Sequence, residues 1–203
     1  MLVAYVANST GTATLGASDS VNGTYATAVQ FGSAGAGTTV GIFYFLNNAS
    51  SAKPTVTFTE SGGAGPLRVI IEEWSNIITS GALDQVQHNA ATTNTTAFQT
   101  NATSATSQAV ELCLAGGNTS TSSSVTPTGG YASGNGDGHI LSMNLVTSST
   151  GAQTGTATLG TTTTYTGVIA TFIATSAGVS ANLTSQTTSS SEGTSSFGVI
   201  YTL

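Results

Sequence analysis

The sequence predicts an all-β protein built as an antiparallel β-sandwich. Short runs of alternating apolar and polar residues follow one another along the 203 residues, separated by breaks rich in Gly, Ser, Thr and Asn. β-branched and aromatic residues, which fit a half-buried pleated sheet, fill these runs. No segment has the apolar periodicity of an amphipathic helix, although residues 75–88 leave room for a short helical turn or an irregular loop.

The most apolar run is LRVIIEEW, residues 67–74, which holds the only Arg and the only Trp. As a strand it carries large side chains on both faces, with Ile71 on one and Trp74 on the other. This pattern predicts a central strand that is covered on each side. Glu72 and Glu73 point to opposite faces, so they do not form a catalytic carboxylate pair. Glu73 is predicted to make structural hydrogen bonds in the core.

The other strands alternate in the same way, and in residues 24–31 the alternation places Tyr25, Val29 and Phe31 on one face. Pro54 can begin a strand, because its missing N–H does least harm at the first position. Residues 116–138 are predicted to be loop. About ten short strands at this spacing favour a jelly roll. In chain order the predicted strands are residues 2–7, 24–31, 39–46, 54–60, 67–74, a weak one near Phe98, 109–115, 138–146, 155–159, 165–174 and 197–203.

The chain length allows one sizeable core. Residues 1–175 are predicted to form the sandwich domain, and residues 176–203 a Ser/Thr-rich tract that ends in an extension strand. That strand either closes its own sheet or is donated to the open sheet edge of a neighbouring subunit. Residues 1–7 are the other candidate donor. One face of the extension strand, the predicted intersubunit surface, consists of Phe197, Val199, Tyr201 and Leu203.

Charge is scarce in this chain. Charged residues make up 5% of it, the net charge is −6, and Lys53 and Arg68 are the only fixed cations. Two cations cannot neutralise the phosphates of a nucleic acid or form a basic membrane-binding patch, and no apolar run is long enough to span a bilayer. Ser and Thr supply about a third of the residues. Such a surface predicts an extracellular, cell-surface or virion-surface protein that packs against copies of itself.

Four stretches in order, LVAYVANS, SDSVNGTYATAV, TVGIFYFLNNASSAKPTVTFT and LRVIIEEWSNIITSGALDQVQ, together with the later VELCLAGG and TGVIATFIA, resemble a known module. It is a loosely defined β-sandwich family found in bacterial secreted, cell-surface and phage-encoded proteins. The resemblance covers roughly residues 2–174. It implies a jelly roll with an adhesive or structural role and no defined reaction. The chain departs from the family pattern at its first strand, which is missing, and at residues 176–203, which extend past its usual end.

Few residues suggest a ligand-binding, metal-binding or reactive role. Trp74 is a candidate sugar contact if it borders a groove with Tyr131 or Tyr165, although a lone Trp beside a core strand usually belongs to the core. The loop GNGDGH, residues 134–139, and the turn at Asp19 offer oxygens for calcium, but fewer carboxylates than calcium sites usually have. No cofactor is predicted. Cys113 has no partner for a disulfide and is predicted to be an inert core thiol.

No Cys/His cluster, G-x-S-x-G motif or Ser/His/Asp arrangement stands out, so the chain is predicted not to be an enzyme. A hydrolase would require catalytic groups brought together by loops. The leading hypothesis is a structural subunit of an extracellular assembly, such as a pilus-like surface filament or a virion coat or decoration protein. The alternative is a carbohydrate-binding or adhesin module. Candidate glycosylation sites, each an N-x-S/T sequon, are Asn8, Asn22, Asn48, Asn94, Asn101, Asn118 and Asn182.

Overall fold

The structure is a computed structural model that describes residues 1–48, 54–176, 178–181 and 186–189. These residues form fifteen strands, all in antiparallel pairs, and no helix, which confirms the prediction of an all-β sandwich. The jelly-roll connectivity stays a prediction. The strands are β1 Leu2–Asn8, β2 Thr14–Asp19, β3 Gly23–Thr24, β4 Ala26–Ser33, β5 Thr38–Phe45, β6 Val56–Ser61, β7 Leu67–Ser75, β8 Leu83–Gln99, β9 Glu111–Thr119, β10 Val125–Pro127, β11 Ala132–Gly136, β12 Ile140–Val146, β13 Thr156–Ile173, β14 Ser180–Ala181 and β15 Gln186–Ser189.

The strands belong to three sheets. The central sheet has the order β14-β7-β1-β5-β4, and β15 also pairs with β7. The small sheet has the order β3-β2-β6. The folded sheet has the order β10-β13-β9-β12-β11, and β8 also pairs with β13.

The central sheet is covered on both faces. Core 1 fills the space between the central and folded sheets and includes Tyr5, Trp74 and Leu114. Core 2, between the central and small sheets, includes Phe58 from the small sheet and Ile71 from β7. Alternating residues of β7 therefore enter different cores, as predicted for the run LRVIIEEW, because a strand points successive side chains to opposite faces.

The folded sheet encloses a core of its own. β8 and β13 are long strands that pair with each other, with register shifts between Thr158 and Thr163 and again before Tyr165. These irregularities bend the ribbon, so that Phe98 near the end of β8 packs with Cys113 of β9 in core 3. The two strands predicted at residues 155–159 and 165–174 are thus one bent strand, and the weak strand near Phe98 is the end of β8.

A β-bulge changes the predicted pattern of β4. The pairing of β4 with β5 shifts register between Thr27 and Val29. Tyr25 therefore lies in core 2, whereas Val29 lies in core 1 and Phe31 packs against core 1. The prediction that the three residues share a face was wrong, because an extra residue in a bulge interrupts strict alternation.

The structure refines one loop prediction and corrects another. β7 continues to Ser75 and β8 begins at Leu83, so residues 75–88 contain two strand ends and, between them, the irregular loop that was one of the two predicted alternatives, without a helical turn. Residues 116–138, predicted to be loop, contain the end of β9 as well as β10 and β11. The tract after residue 175 extends the central sheet through β14 and β15. The predicted strand at residues 197–203 lies outside the described residues.

Candidate functional site

A buried carboxylate lies at the contact between the central and folded sheets. Glu72 of β7 is 5% exposed. Its Oε1 accepts a hydrogen bond from the Ser142 hydroxyl of β12 at 2.7 Å, and its Oε2 accepts one from the Trp74 indole N–H at 3.1 Å. Burial raises the pKa of Glu72, and interactions with Ser142, Trp74 and the Tyr5 hydroxyl, which favour the charged form, offset part of that rise.

This arrangement corrects the role predicted for Glu73. Glu73 is half-buried and accepts a hydrogen bond from Asn48 Nδ2 at 3.2 Å, while Glu72 is the carboxylate held in the core. The alternation along β7 predicts the burial of Glu72, because Glu72 lies on the same face of the strand as Ile70 and Trp74, two core 1 residues.

A cleft of about 420 Å³ opens beside this cluster. It is lined largely by hydroxyls and glycines from β11, β12 and the loop before β10, and Ser142 forms part of its wall. The lining contains no aromatic side chain. The serines of the lining are Ser122, Ser123, Ser124, Ser133 and Ser142.

The structure does not form the aromatic platform proposed for sugar binding. Trp74 is 6% exposed, lies in core 1 and uses its indole N–H on Glu72. Tyr131 and Tyr165 are buried in core 3, on the other side of the folded sheet. The assignment of Trp74 as a sugar contact was therefore wrong, because its ring has no exposed face on which a sugar could stack.

Two of the candidate glycosylation sites are inside the protein. Asn8 is 0% exposed, and its side-chain amide donates to the carboxylate of Glu60 and to the carbonyl of Gly65. Asn118 is also fully buried, and its Nδ2 donates to the backbone carbonyls of Asn8 and Thr39 at 2.9 and 3.2 Å. An amide nitrogen engaged in this way has no space for a glycan. The predictions of glycosylation at Asn8 and at Asn118 were therefore wrong.

The other sequons differ in their surroundings. Asn94 and Asn101 are exposed. Asn22 and Asn48 are half-buried and joined by a hydrogen bond of 3.0 Å between their side chains. Asn182 lies outside the described residues.

The two loops considered for calcium use their carboxylates on nitrogen donors. Asp137 accepts the backbone N–H groups of His139 and Ile140 at 2.9 and 3.0 Å and forms an ion pair with Arg68 at 3.1 Å. Asp19 accepts N–H groups from the turn that follows it, and these hydrogen bonds lower the pKa of Asp19 against the opposing effect of its burial. Within the described residues, no group of three or more metal-ligating side chains is present.

Two more glutamates are held in the protein interior. Glu111, fully buried at the start of β9, accepts the backbone N–H of Gln108 at 3.0 Å. Burial raises the pKa of Glu111, and the neighbouring charge of Asp84 raises it further. Burial also raises the pKa of Glu60, against its hydrogen bond from the Asn8 amide.

Cys113 is buried in core 3, which confirms the prediction of a core thiol. Burial, followed by the charge of Glu111, raises the pKa of Cys113 to about 12. The neutral thiol therefore persists at physiological pH, and the thiolate that reacts with electrophiles is scarce.

The sheet edges are the remaining candidate surfaces for interaction. β1 is paired with β5 on one side and β7 on the other, and all of its residues are buried. Residues 1–7 are thus an integral central strand of their own sheet, and their assignment as a donor strand was wrong. On the outer side of β7, Ala181 is opposite Trp74, and residues Gln186 to Ser189 are opposite Ile71 to Arg68.

No protein-family model, curated protein or solved structure matches this chain. The resemblance to the bacterial sandwich module therefore stays a prediction. Within the ranges that the structure describes, there is no helix long and apolar enough to cross a membrane.

Proposed function

We propose that this protein is a non-enzymatic structural subunit of an extracellular assembly, such as a surface filament or a virion coat, whose subunits are joined by β-strand contacts. The observation that carries the proposal is the register of β15 on β7. Ser189 is opposite Arg68, and β7 begins one residue earlier, at Leu67. In this register the outer edge of β7 has no unpaired stretch long enough for the seven residues 197–203.

The pattern of residues 197–203 requires a sheet to pair with. Phe197, Val199, Tyr201 and Leu203 are large apolar residues at alternate positions and would share one face of a strand. An isolated strand with such a face is not stable in water, so it needs an edge with free N–H and C=O groups and apolar surface beside it. Since the β7 edge is taken by β14 and β15, that edge is elsewhere, either in the same chain or in a neighbour.

The surface of the domain suits repeated self-contact. Ser and Thr supply about a third of the residues and charged residues only 5%. Copies of the same chain therefore meet with little like-charge repulsion and little charge to desolvate. When a strand is passed from each subunit to the next, the contact is heterologous, and contacts of this kind build open fibres when they do not close into rings.

The experiment compares two matched aspartate variants of the full chain by negative-stain microscopy and light scattering. Val199→Asp places a carboxylate on the predicted buried face of the last strand, whereas Thr202→Asp places it on the opposite face. We expect fibres or a regular lattice from the wild type and from Thr202→Asp, and dispersed subunits from Val199→Asp, because burying an unpaired carboxylate is costly.

Circular dichroism of both variants checks that the sandwich is folded in each. Isolated particles from wild-type protein at all concentrations would contradict the proposal. Equal assembly by the two variants would also contradict it, since it would show that the predicted face of the last strand is not buried between subunits.

A further inference from the structure

We infer that the free edge of β4 is the acceptor for the last strand, residues 197–203, of a second copy of this chain. The assignment deepens the proposed function and rests on it, because it names the edge that the last strand occupies. β4, Ala26–Ser33, is an edge strand of the central sheet, and among the described residues it pairs only with β5.

Natural edge strands are protected by charged side chains, by proline, by a β-bulge or by a covering element. β4 has a bulge between Thr27 and Val29, but from Val29 to Ser33 it pairs with β5 in regular register and carries neither charge nor proline. No charged residue and no proline occurs anywhere in residues 20–52, which include β3, β4 and β5. The last strand, FGVIYTL, is also uncharged along its side chains. The regular part of β4, from Val29 to Ser33, offers five consecutive pairing positions to the seven-residue last strand.

Other described edges are less suitable. β3, β14 and β15 are two to four residues long, too short to pair with the whole seven-residue strand. β10 contains Pro127, which cannot donate to a ladder. β11 pairs with β12 through an irregular register that includes Gly136. β6 carries Glu60, and on β8 the backbone N–H of His88 is already capped by the side chain of Gln87 at 3.4 Å.

Apolar surface lies beside the β4 edge. Ala28 and Phe31 of β4 and Leu83 of β8 are partly buried residues packed against core 1. Val86 of β8 is 38% exposed and is paired with Ala170, another core 1 residue, so it lies on the same face of the folded sheet.

A ring contact marks this side of the sandwich. Phe31 stacks on His88 of β8, with ring centroids 4.0 Å apart, so β4 and β8 lie side by side, one from each sheet. Beside this contact Phe31, Leu83 and Val86 keep part of their apolar surface exposed. A strand added to β4 with its apolar face toward the folded sheet would cover this surface with Phe197, Val199, Tyr201 and Leu203.

The position of the described C-terminal tract favours a second copy as the donor. Ser189 is opposite Arg68, and the paired rows continue through Ala7 and Val40 to Phe31 on β4. A strand beyond β4 would lie five strand spacings from β15, about 24 Å at roughly 4.8 Å each. Residues 190–196 could span at most about 25 Å if fully extended.

That reach barely equals the straight-line distance, and the straight line is occupied by the strands of the central sheet. The tail of the same chain would have to run around the end of the sheet at nearly full stretch. The tail of a neighbouring copy has no such constraint. The contact joins the last strand of one copy to the β4 edge of the next, so it is heterologous and can propagate.

The test places an environment-sensitive fluorophore on full-length protein that carries Val199→Asp and so cannot donate its own strand. One protein is labelled through Thr27→Cys on β4 and the control through Thr93→Cys on β8; both positions are exposed. Cys113 is buried and does not compete for the label. A synthetic peptide of residues 194–203 is then added, with a Val199→Asp peptide as its negative control.

We expect the peptide to shift the emission of the label at residue 27 saturably, and the label at residue 93 to be unaffected. The Val199→Asp peptide should bind at least about tenfold more weakly. No saturable change at residue 27, or an equal change at residue 93, would overturn the assignment of β4. In chains with native Val199, a shifted emission at residue 27 that persists unchanged on dilution would show closure by the chain's own tail and would overturn the second copy as donor.

This inference and the proposed function can fail separately. Assembly that is lost in Val199→Asp, combined with no peptide binding at residue 27, would refute β4 as the acceptor and leave the structural role supported. Binding of the peptide at residue 27, in a wild-type protein that never assembles, would support β4 as the acceptor and refute the structural role.

Discussion

The hydrogen bond between Ser142 and Glu72 provides a quantitative test of the buried cluster between the two large sheets. Ser142→Ala removes the hydroxyl that donates to Glu72 Oε1 at 2.7 Å and leaves the carboxylate with the Trp74 indole N–H, at 3.1 Å, and the neighbouring Tyr5 hydroxyl. Removing one partner of a buried charged group costs about 1–3 kcal/mol. We therefore expect Ser142→Ala to lower the free energy of unfolding by about 2 kcal/mol at pH 7.5.

The assay is urea unfolding followed by the fluorescence of Trp74, the only Trp and a direct neighbour of the cluster. Glu72→Gln is the second variant of a double-mutant cycle. In the Glu72→Gln background, Ser142→Ala should lower the free energy of unfolding by about 1 kcal/mol less than in the wild type, because no carboxylate loses its donor. Ser133→Ala, an exposed serine of the same cleft, is the control and should stay within about 0.5 kcal/mol of the wild type. A decrease in the free energy of unfolding below about 0.5 kcal/mol for Ser142→Ala, or the same decrease in both backgrounds, would show that the Ser142 hydroxyl does not stabilise a charged Glu72.

Three further predictions concern pH, packing and the thiol. Because burial raises the pKa of Glu72, the contribution of this group to stability is fully present below its unfolded pKa of 4.5 and is lost as pH rises through its folded pKa. In urea unfolding between pH 4.5 and 8, the free energy of unfolding should therefore fall less steeply for Glu72→Gln than for the wild type. Parallel pH profiles of the two proteins would contradict this prediction. Gly116→Ala should destabilise the protein by about 1–3 kcal/mol in thermal or urea unfolding, because the new Cβ would lie 2.6 Å from Cδ1 of Tyr5. Gly151→Ala, whose Cβ meets nothing closer than 4.0 Å, is its control and should be nearly neutral. Cys113, with its pKa raised to about 12, should resist a thiol reagent at pH 8 in native protein and react fully in urea; rapid native labelling would show that core 3 opens.

Strand positions were predicted well where alternation is strict. β5 and β7 were located within a residue or so, and the two faces of β7 were assigned correctly, because each strand carries apolar side chains for two different cores. The prediction failed at β8 and β13, whose polar, Thr-rich middles read as loops. Those segments are strands because they pair with each other over a long distance in sequence, which no local pattern records.

Among the candidate sites, Cys113 was correctly placed in a core, because the alternation of its apolar neighbours is a local pattern. Burial of individual polar residues was not predictable, since Asn8 and Asn118 read as ordinary sequons. They are buried because they hold neighbouring backbone segments together, and their hydrogen-bond partners come from distant strands.

The all-β class, the doubly covered strand at residues 67–74 and the scarcity of charge can be read from the sequence, because side-chain alternation and composition are local properties of the chain. Four features became visible in the fold alone: Glu72 is buried where Glu73 is not, β1 is central, β14 and β15 pair with the edge of β7, and β4 is an edge strand. Each of these depends on which strands become neighbours. Strand neighbours are selected by the packing of the whole core, and packing of that kind joins residues far apart in the sequence.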